Sequence, residues 1–214
     1  MKKVIYIACY LISLTSFAQS NQEYIDRQIK SLESQLDQKG ITEYFIYRSF
    51  STGGVYITKL DTTKCIPYPD TIKYLFWKEE GKNWIKRLSE CGISSDIQLT
   101  GFKPVDFFIQ HIDRIEKEEV LRYSYKPDVQ VGEKTPMHFI TISHSVYREL
   151  EFNTQHRSFE KYIDTFKLTN DQDEKNVNYA HNNALPLVKL SNRCKRIINK
   201  LEDNGVFETI IRID

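Results

Sequence analysis

The sequence lacks an excess of charge of either sign. Its 214 residues include 30 Lys and Arg against 29 Asp and Glu, which gives a formal net charge of +1 at pH 7. A chain with balanced charge has no electrostatic reason to bind nucleic acid or an anionic membrane surface. We therefore expect no nucleic acid among its partners.

Long apolar runs are also missing after the first few residues. A membrane-spanning helix needs about 20 consecutive apolar residues, and no later segment approaches that length. The early run at residues 4–14 follows Lys2 and Lys3 and precedes the small residues Ser16 and Ala18. This order is typical of a secretory signal peptide. We predict cleavage after Ala18 and export of a bacterial-type protein to the periplasm or the cell exterior, with no membrane span in the mature chain.

A second kind of leader is disfavoured. The letters "IAC", which end at Cys9, resemble the cleavage site of a lipoprotein. Only five apolar or aromatic residues precede Cys9, fewer than the ~7–15 of an ordinary signal-peptide core. We therefore expect the cut after Ala18 and a single soluble domain over residues 19–214.

Cysteine is scarce, with three residues beyond the predicted leader. Cys194 recurs at helical spacing with Leu190 and Ile198, which predicts a place in the core. Cys65 and Cys91 flank an aromatic hairpin, so their Cα atoms can approach to the ~6 Å that a disulfide requires. Disulfide frameworks are typical of smaller chains that are rich in cysteine. The sequence therefore leaves a Cys65–Cys91 bridge open.

The chain has no motif for holding a metal or a phosphate. It contains no HExxH pattern and no short pair of Cys or His ligands. His138 and His144 fall on one side of a predicted strand, but about 20 Å apart, too far to share one ion. The "STGGV" stretch lacks the lysine and the helix of a phosphate-binding loop. We predict no metal and no cofactor.

Nucleophilic catalysis finds weak support as well. Ser143 and Ser145 flank His144, but neighbouring side chains in a strand point to opposite sides of a sheet. An envelope hydrolase acting on glycan or peptide remains an alternative, with His144, Glu149 and His156 gathered by the sheet as acid–base groups. Paired carboxylates for sugar hydrolysis leave no local mark in a sequence. The chain is therefore predicted to be non-enzymatic, with a hydrolase as the alternative.

Periodicity predicts the fold class. Apolar residues recur at helical spacing in residues 21–40, 103–120 and 187–201, which predicts about three amphipathic helices. Aromatic and β-branched runs around residues 43–60 and 72–88 are interrupted by glycine turns and predict hairpins. We expect an α+β fold with a mainly antiparallel sheet built from hairpins.

The second hairpin, "YLFWKEEGKNWIKRL" at residues 74–88, admits two registers. A two-residue turn pairs Trp77 with Trp84. A three-residue turn, with Gly81 in the left-handed position, pairs Phe76 with Trp84 instead. The three-residue turn separates apolar from charged side chains more cleanly, so we predict that register and a place for the cluster mostly in the core.

Aromatic residues are abundant, with 13 Tyr, 12 Phe and 2 Trp. They enrich both sheet cores and recognition surfaces. In a chain without a catalytic motif, their abundance favours binding over chemistry. We predict an interaction module that binds a protein, peptide or glycan partner through a face or edge of its sheet. The predicted contact residues are Tyr44, Tyr47, Tyr56, Trp77 and Trp84.

A third interpretation is an inhibitor or immunity-type protein that blocks a toxin or a lytic enzyme. Such a protein would present a protruding loop and no cleft. The two polar segments at residues 126–136 and 169–183 are the predicted loops.

Overall fold

A sheet of eight antiparallel strands forms the centre of the molecule, and helices pack on both of its faces. The architecture confirms the predicted α+β class and the mainly antiparallel sheet. The computed structural model describes residues 23–53, 65–126, 138–171, 173–207 and 209–210. The predicted signal peptide, its Cys9 alternative and Tyr56 lie outside these residues.

Helices occupy the three segments whose periodicity predicted them, together with one short addition. They are α1 (residues 23–38), α2 (Pro104–Lys117), α3 (Tyr179–Ala184) and α4 (Pro186–Asp203). A proline begins both α2 and α4, where the missing N–H is not needed by the helix. None of the described helices has the length and apolar character needed to cross a membrane.

Short turns join several consecutive strands, and the hairpin predicted at residues 72–88 is among them. The second run of the hairpin predicted at residues 43–60 lies outside the described residues. The strands are β1 (Tyr44–Ser51), β2 (Lys73–Glu79), β3 (Lys82–Ser89), β4 (Gly92–Ser94), β5 (Ile97–Gln98), β6 (Ser124–Tyr125), β7 (His138–Phe139), β8 (Val146–Asn153), β9 (Ser158–Asp164) and β10 (Thr209–Ile210). The order in the large sheet is β10-β4-β3-β2-β1-β8-β9, with β5 beside β3. β6 and β7 form a separate pair.

One face of the sheet packs against α2 and α4. The side chains of Phe45, Phe76 and Phe152 come from β1, β2 and β8 and are fully buried there. Phe108 of α2 joins them, with its ring centroid 4.7 Å from that of Phe152. Cys194 of α4 lies in the same core, as its helical spacing predicted.

The opposite face packs against α1. Residues 25, 29, 32 and 36 of that helix form the buried stripe that the sequence pattern predicted. They cover Tyr44, Ile46, Leu75 and Trp77 on β1 and β2. The middle of the sheet is therefore enclosed by helices on both sides.

The predicted register of the second hairpin is wrong. Glu80 and Gly81 have φ angles of 50° and 73°, and they form the two-residue turn of a tight hairpin. Trp77 therefore lies opposite Trp84, with stacked rings 6.2 Å apart. Because helices cover both faces of the sheet, apolar side chains are needed on both. The hairpin therefore does not have to place its apolar and charged side chains on opposite faces.

Lysines on the α1 side of this hairpin find carboxylate partners. Lys86 Nζ lies 2.6 Å from an oxygen of Asp96, and Lys73 Nζ lies 3.2 Å from an oxygen of Glu151. Ion pairing makes these positions compatible with a largely covered face. The apparent conflict that argued against the two-residue turn is removed by these pairs.

The bridge between Cys65 and Cys91 is formed. Their Cα atoms are 5.5 Å apart, and the two residues are separated by 26 positions in the chain. The disulfide connects the segment before β2 to the turn between β3 and β4. It therefore attaches the loop before β2 to the sheet.

Candidate functional site

A cleft of about 310 Å³ opens between the end of β1 and the second half of α4. Its third side is the segment around the 3₁₀ turn Pro69–Thr71. This volume lies at the lower end of the ~300–1,000 Å³ range of ligand pockets. The residues of its lining include Tyr47, Ser49, Ser51, Asp70, Ile72, Tyr74, Val146, Lys195, Ile198 and Asn199.

The cleft exists because side chains shorten along one face of β1. Alternate residues of a strand point to the same side. On the α4 side, Phe45 and Tyr47 fill the space between sheet and helices, whereas Ser49 and Ser51 follow them with short side chains. The sheet and α4 therefore separate at this end and leave an opening.

The disulfide and a buried carboxylate hold the outer wall of the cleft in place. Glu90 accepts a hydrogen bond from the backbone N–H of Tyr68 at 2.6 Å and another from the hydroxyl of Thr71. Glu90 is itself buried, and the neighbouring Cys91 forms the bridge to Cys65. The wall is thus fixed to the turn between β3 and β4.

Two contacts join the same wall to β1. The guanidinium Nε of Arg48 donates to the backbone carbonyl of Asp70 at 2.8 Å. The side chain of Asp70 accepts from the backbone N–H of Ser51 at 3.0 Å. Because both edges of the wall are attached, ligand binding would require little reorganisation of the wall.

Tyr47 contributes its ring to the lining of the cleft, but its hydroxyl is buried. The residue is 2% exposed, and the hydroxyls of Ser49 and Ser191 lie near its Oη. Burial raises the pKa of Tyr47 to about 12, although the charge of Arg148 and the nearby hydroxyls of Ser191 and Ser49 oppose the rise.

Arg148 of β8 is a buried neighbour of Ser49 in the sheet. It lies opposite Ser49 of β1 and is 7% exposed. Its Nη1 donates to Asn192 Oδ1 at 2.6 Å and to Ser191 Oγ at 3.3 Å, while Nε has no described partner. No carboxylate in the described ranges forms an ion pair with it.

The inner wall of the cleft is electrically balanced. Tyr74 donates from its hydroxyl to Glu202 at 2.8 Å, and Arg87 Nη1 lies 3.0 Å from the other oxygen of that carboxylate. Burial and the Glu202 carboxylate raise the pKa of Tyr74, so this phenol stays protonated. The polar groups of this wall are satisfied by one another.

The residues predicted for a hydrolase are not brought together. His144 precedes β8, and its Nδ1 lies 3.3 Å from the backbone oxygen of Thr52. His156 lies in the turn after β8, so a strand of about 25 Å separates the two histidines. Glu149 lies between them and accepts from the hydroxyl of Tyr162 at 2.8 Å.

Nor does the cleft itself hold the parts of a hydrolase. Asp70 is the one carboxylate that the described cleft lining contains, so it lacks the second acid of a glycosidase pair. In the described chain no histidine is hydrogen-bonded to a hydroxyl, the arrangement that activates a serine. Metal chemistry has no ligand cluster to use either, within the described ranges.

Most of the predicted contact aromatics are not on the surface. Tyr44 and Trp77 lie beneath α1, and Tyr47 lies in the core on the other face. Trp84 is half-buried, and Tyr56 lies outside the described residues. The physical reason is that helices cover both faces of the central strands, so the buried rings offer no surface to a partner.

The described part of residues 169–183 does not form the protruding loop that the sequence predicted. Asn176 and Asn182 are buried, and the Asn182 side chain bonds the backbone of Leu121 through both its oxygen and its nitrogen, at 2.9 Å each. The described part of this segment is therefore packed against the chain beside β6. The second predicted loop, residues 126–136, lies outside the described residues except for Lys126.

Sequence reasoning missed Ser49, Ser51, Arg148, Lys195 and Asn199. One signal was available, because the apolar alternation of β1 stops at Ser49 while the strand continues to residue 51. Comparison with protein-family models, with curated proteins and with solved structures finds no match to this chain. The candidate site consequently stands on geometry and chemistry.

Proposed function

We propose that this chain is an exported, non-enzymatic binding protein that takes a small ligand, or one end of a peptide or glycan, in the cleft. The observation that carries the proposal is the cleft itself, whose outer wall is attached both to β1 and to the turn between β3 and β4. Its lining combines the polar residues Ser49, Ser51 and Asn199 with apolar ones, as ligand pockets do.

Two features favour binding over chemistry. Ser49 and Ser51 line the cleft, but a serine hydroxyl acts as a nucleophile only when a general base activates it. No described histidine lines the cleft with them. The wall around Asp70 is attached at both edges, which suits a rigid receptor more than a closing active site. Rigid, preformed pockets bind with a small entropic cost.

Export is supported by two independent features. The first residues have the order of a secretory leader, and the bridge between Cys65 and Cys91 is of a kind that persists in an oxidising compartment. We therefore propose that the mature protein resides in the periplasm or outside the cell. Expression of the full chain in a bacterium, followed by mass spectrometry of the secreted or periplasmic product, tests the predicted start at Gln19.

A cleft-filling substitution tests the binding site. The ¹⁵N-labelled chain from Gln19, with its disulfide intact, is titrated with short peptides, cell-envelope oligosaccharides and small organic acids. Ligands of the cleft should shift the amide resonances of Ser49 and Val146. Ser49→Leu should abolish these shifts because leucine fills the opening. The matched control Ser158→Leu, on the exposed part of β9, should leave them unchanged.

Two results would contradict the proposal. One is a ligand that binds equally well to the wild-type chain and to Ser49→Leu. The other is the absence of any shift around the cleft across the whole panel.

A further inference from the structure

We infer that β9 is a docking edge, where an extended basic segment of a partner protein adds a strand to the large sheet. The inference goes beyond the proposed function, because no residue of β9 is among the described lining of the cleft. It depends on three observations: an open strand edge, two carboxylates that face each other beside it, and a charge pattern that disfavours a second copy of this chain.

The outer edge of β9 is open. β9 ends the strand order of the large sheet, and β8 is its one neighbouring strand among the described residues. The backbone N–H of Thr154 donates to the carbonyl of Arg157 at 3.0 Å, which fixes the alternation of the β8–β9 ladder. In this alternation the N–H and C=O groups of Ser158, Glu160 and Tyr162 point away from β8. No described backbone group pairs with them, so they form a template for another strand.

The features that commonly protect a sheet edge are missing from β9. The strand has seven residues, contains no proline and pairs with β8 without a bulge. Its lysine does not cover the edge, because Lys161 Nζ donates to the backbone carbonyl of Glu118 at 3.4 Å, on the side of α2. The strand can therefore accept a partner along its length.

The carboxylate of Glu160 has no cationic partner among the described residues. Glu160 lies directly opposite Glu151 of β8, and like charges in such positions destabilise a sheet. Lys73 offsets Glu151 at 3.2 Å, whereas the described partner of Glu160 is the neutral hydroxyl of Tyr162 at 3.0 Å. A lysine or arginine opposite Glu160 on an added strand would offset the second carboxylate.

Tyr162 places an aromatic ring on the same face of the edge. Its side chain is 54% exposed, and its hydroxyl lies 2.8 Å from an oxygen of Glu149 as well as near Glu160. A cation is attracted to the face of an aromatic ring. The exposed ring and the neighbouring carboxylates therefore favour the same basic side chain.

A second copy of this chain fits the edge poorly. Two β9 strands that pair antiparallel about a two-fold axis must bond through their outward groups, and the axis then lies at residue 160, 161 or 162 when most of the strand is paired. These registers place Glu160 opposite Glu160, Lys161 opposite Lys161, or Glu160 opposite Asp164 of the other copy. Each register brings like charges together. A partner with basic residues avoids this repulsion.

Titration of the ¹⁵N-labelled chain from Gln19 with a synthetic strand tests the edge. The probe is acetyl-Thr-Lys-Val-Arg-Val-Lys-Thr-amide, and the comparison peptide has glutamate at the basic positions. We expect the basic peptide to shift the amide resonances of Glu160 and Tyr162 and to slow their hydrogen exchange. It should bind roughly tenfold more tightly than the acidic peptide, and added salt should narrow the difference.

Methylated peptides separate strand addition from simple charge attraction. One version of the basic peptide carries N-methyl groups on its lysines and arginine, and the other carries them on its valines. Only one alternate set of N–H groups in an added strand faces β9. Methylation of one set should therefore abolish binding, and methylation of the other set should be tolerated.

Charge reversal assigns the basic residue to Glu160. Glu160→Lys should weaken binding of the basic peptide roughly tenfold and strengthen that of the acidic one, and it should not destabilise the fold because position 160 faces Glu151. Asp203→Lys makes the same charge change at an exposed position at the end of α4 and should leave the preference unchanged. Ser49→Leu, which fills the cleft, should leave peptide binding unchanged and keeps this test independent of the proposed function.

Several results would overturn the inference. They are equal binding of the basic and acidic peptides, no binding of either, and tolerance of both methylated peptides, which would reduce the contact to side-chain attraction. Loss of peptide binding in Ser49→Leu would place the peptide in the cleft instead. A dimer in sedimentation experiments whose formation protects the amides of β9 without peptide would assign the edge to a second copy.

Discussion

Asn83 is buried where β3 meets the first turn of α2, and its side-chain amide connects the two elements. Its oxygen accepts from the backbone N–H of Val105 at 2.9 Å, and its nitrogen donates to Asp106 at 2.7 Å. Lys78 on β2 adds an ion pair to the same carboxylate. The side-chain amide of Asn83 therefore accepts a hydrogen bond from the first turn of α2 and positions the carboxylate of Asp106. The spacing of residues in the sequence did not reveal this combination.

Asp106→Asn should make the free energy of unfolding less dependent on pH in the acidic range. Burial opposes the charge of Asp106, but hydrogen bonds from Lys78 and Asn83 outweigh it and lower the pKa of the carboxyl group. A lowered folded-state pKa contributes stability above the ordinary carboxyl pKa, and that contribution is lost as the pH falls through the lowered value. The variant should therefore lose stability at pH 7 but little at low pH.

Urea denaturation at neutral and acidic pH measures this difference. The exposed Asp173 offers a control, since Asp173→Asn should leave the free energy of unfolding almost unchanged at both. A deficit for Asp106→Asn that is the same at the two pH values would contradict the assignment.

Trp77→Ala should destabilise the chain by about 3–5 kcal/mol, the usual cost of removing a buried aromatic side chain. Trp77 is 3% exposed and packs between β2 and α1. Its cross-strand neighbour Trp84 is only half-buried, so Trp84→Ala should cost less. Thermal or urea unfolding of the two variants checks the order. Unaltered stability of Trp77→Ala together with a loss of ligand binding would restore Trp77 as a contact residue.

At the scale of elements, the segment between Cys65 and β2 has an unusual number of attachments for a loop. The disulfide, Glu90 and Arg48 each hold it from a different direction. Its turn Pro69–Thr71 forms one wall of the cleft. The geometry of the candidate site therefore depends on how firmly this segment is held.

Replacing both bridge cysteines by serine should lower stability by about 3 kcal/mol, the scale of a disulfide that closes a loop of this length. The same change should weaken ligand binding, because the wall around Asp70 loses one attachment. Denaturant titration and calorimetry measure the two effects. Glu90→Gln keeps the disulfide and is the matched variant, with a smaller expected effect on both. Unchanged affinity in the serine variant would show that the wall is held without the bridge.

At the scale of the whole molecule, the sheet separates two apolar layers, one under α1 and one under α2 and α4. Cys194 lies at the bottom of the second layer and is fully buried. Burial raises the pKa of its thiol strongly, and reactive thiolate is therefore suppressed. Its reactivity reports on the integrity of that layer.

Counting the reactive thiols tests the burial of Cys194, the disulfide between Cys65 and Cys91 and the removal of the predicted signal peptide in one experiment. The mature chain should show no reactive thiol when native, one when unfolded without reductant and three when unfolded and reduced. A fourth thiol would be Cys9 and would mean that the leader was retained. Rapid labelling of the native chain would contradict the burial of Cys194.

Local patterns in the sequence determined the helices and most of their buried faces. The stripes of α1, α2 and α4 depend on a period of 3.6 residues, which neighbouring residues express without help from the rest of the chain. The aromatic runs of β1 and β2 likewise predicted strands. Cys65 and Cys91 were candidates for a disulfide because both flank one hairpin, but the sequence left the bridge open.

Only the tertiary structure decided the register of the second hairpin, the burial of Trp77 and the cleft. The register of the hairpin depended on the helices that cover both faces of the sheet. The ion pair between Lys86 and Asp96 depended on a turn that brings the two residues together. The cleft forms where Ser49 of β1 faces α4, and these two elements lie far apart in the sequence. Contacts between segments that distant leave no period or spacing in the sequence, so their consequences emerge only when the chain packs.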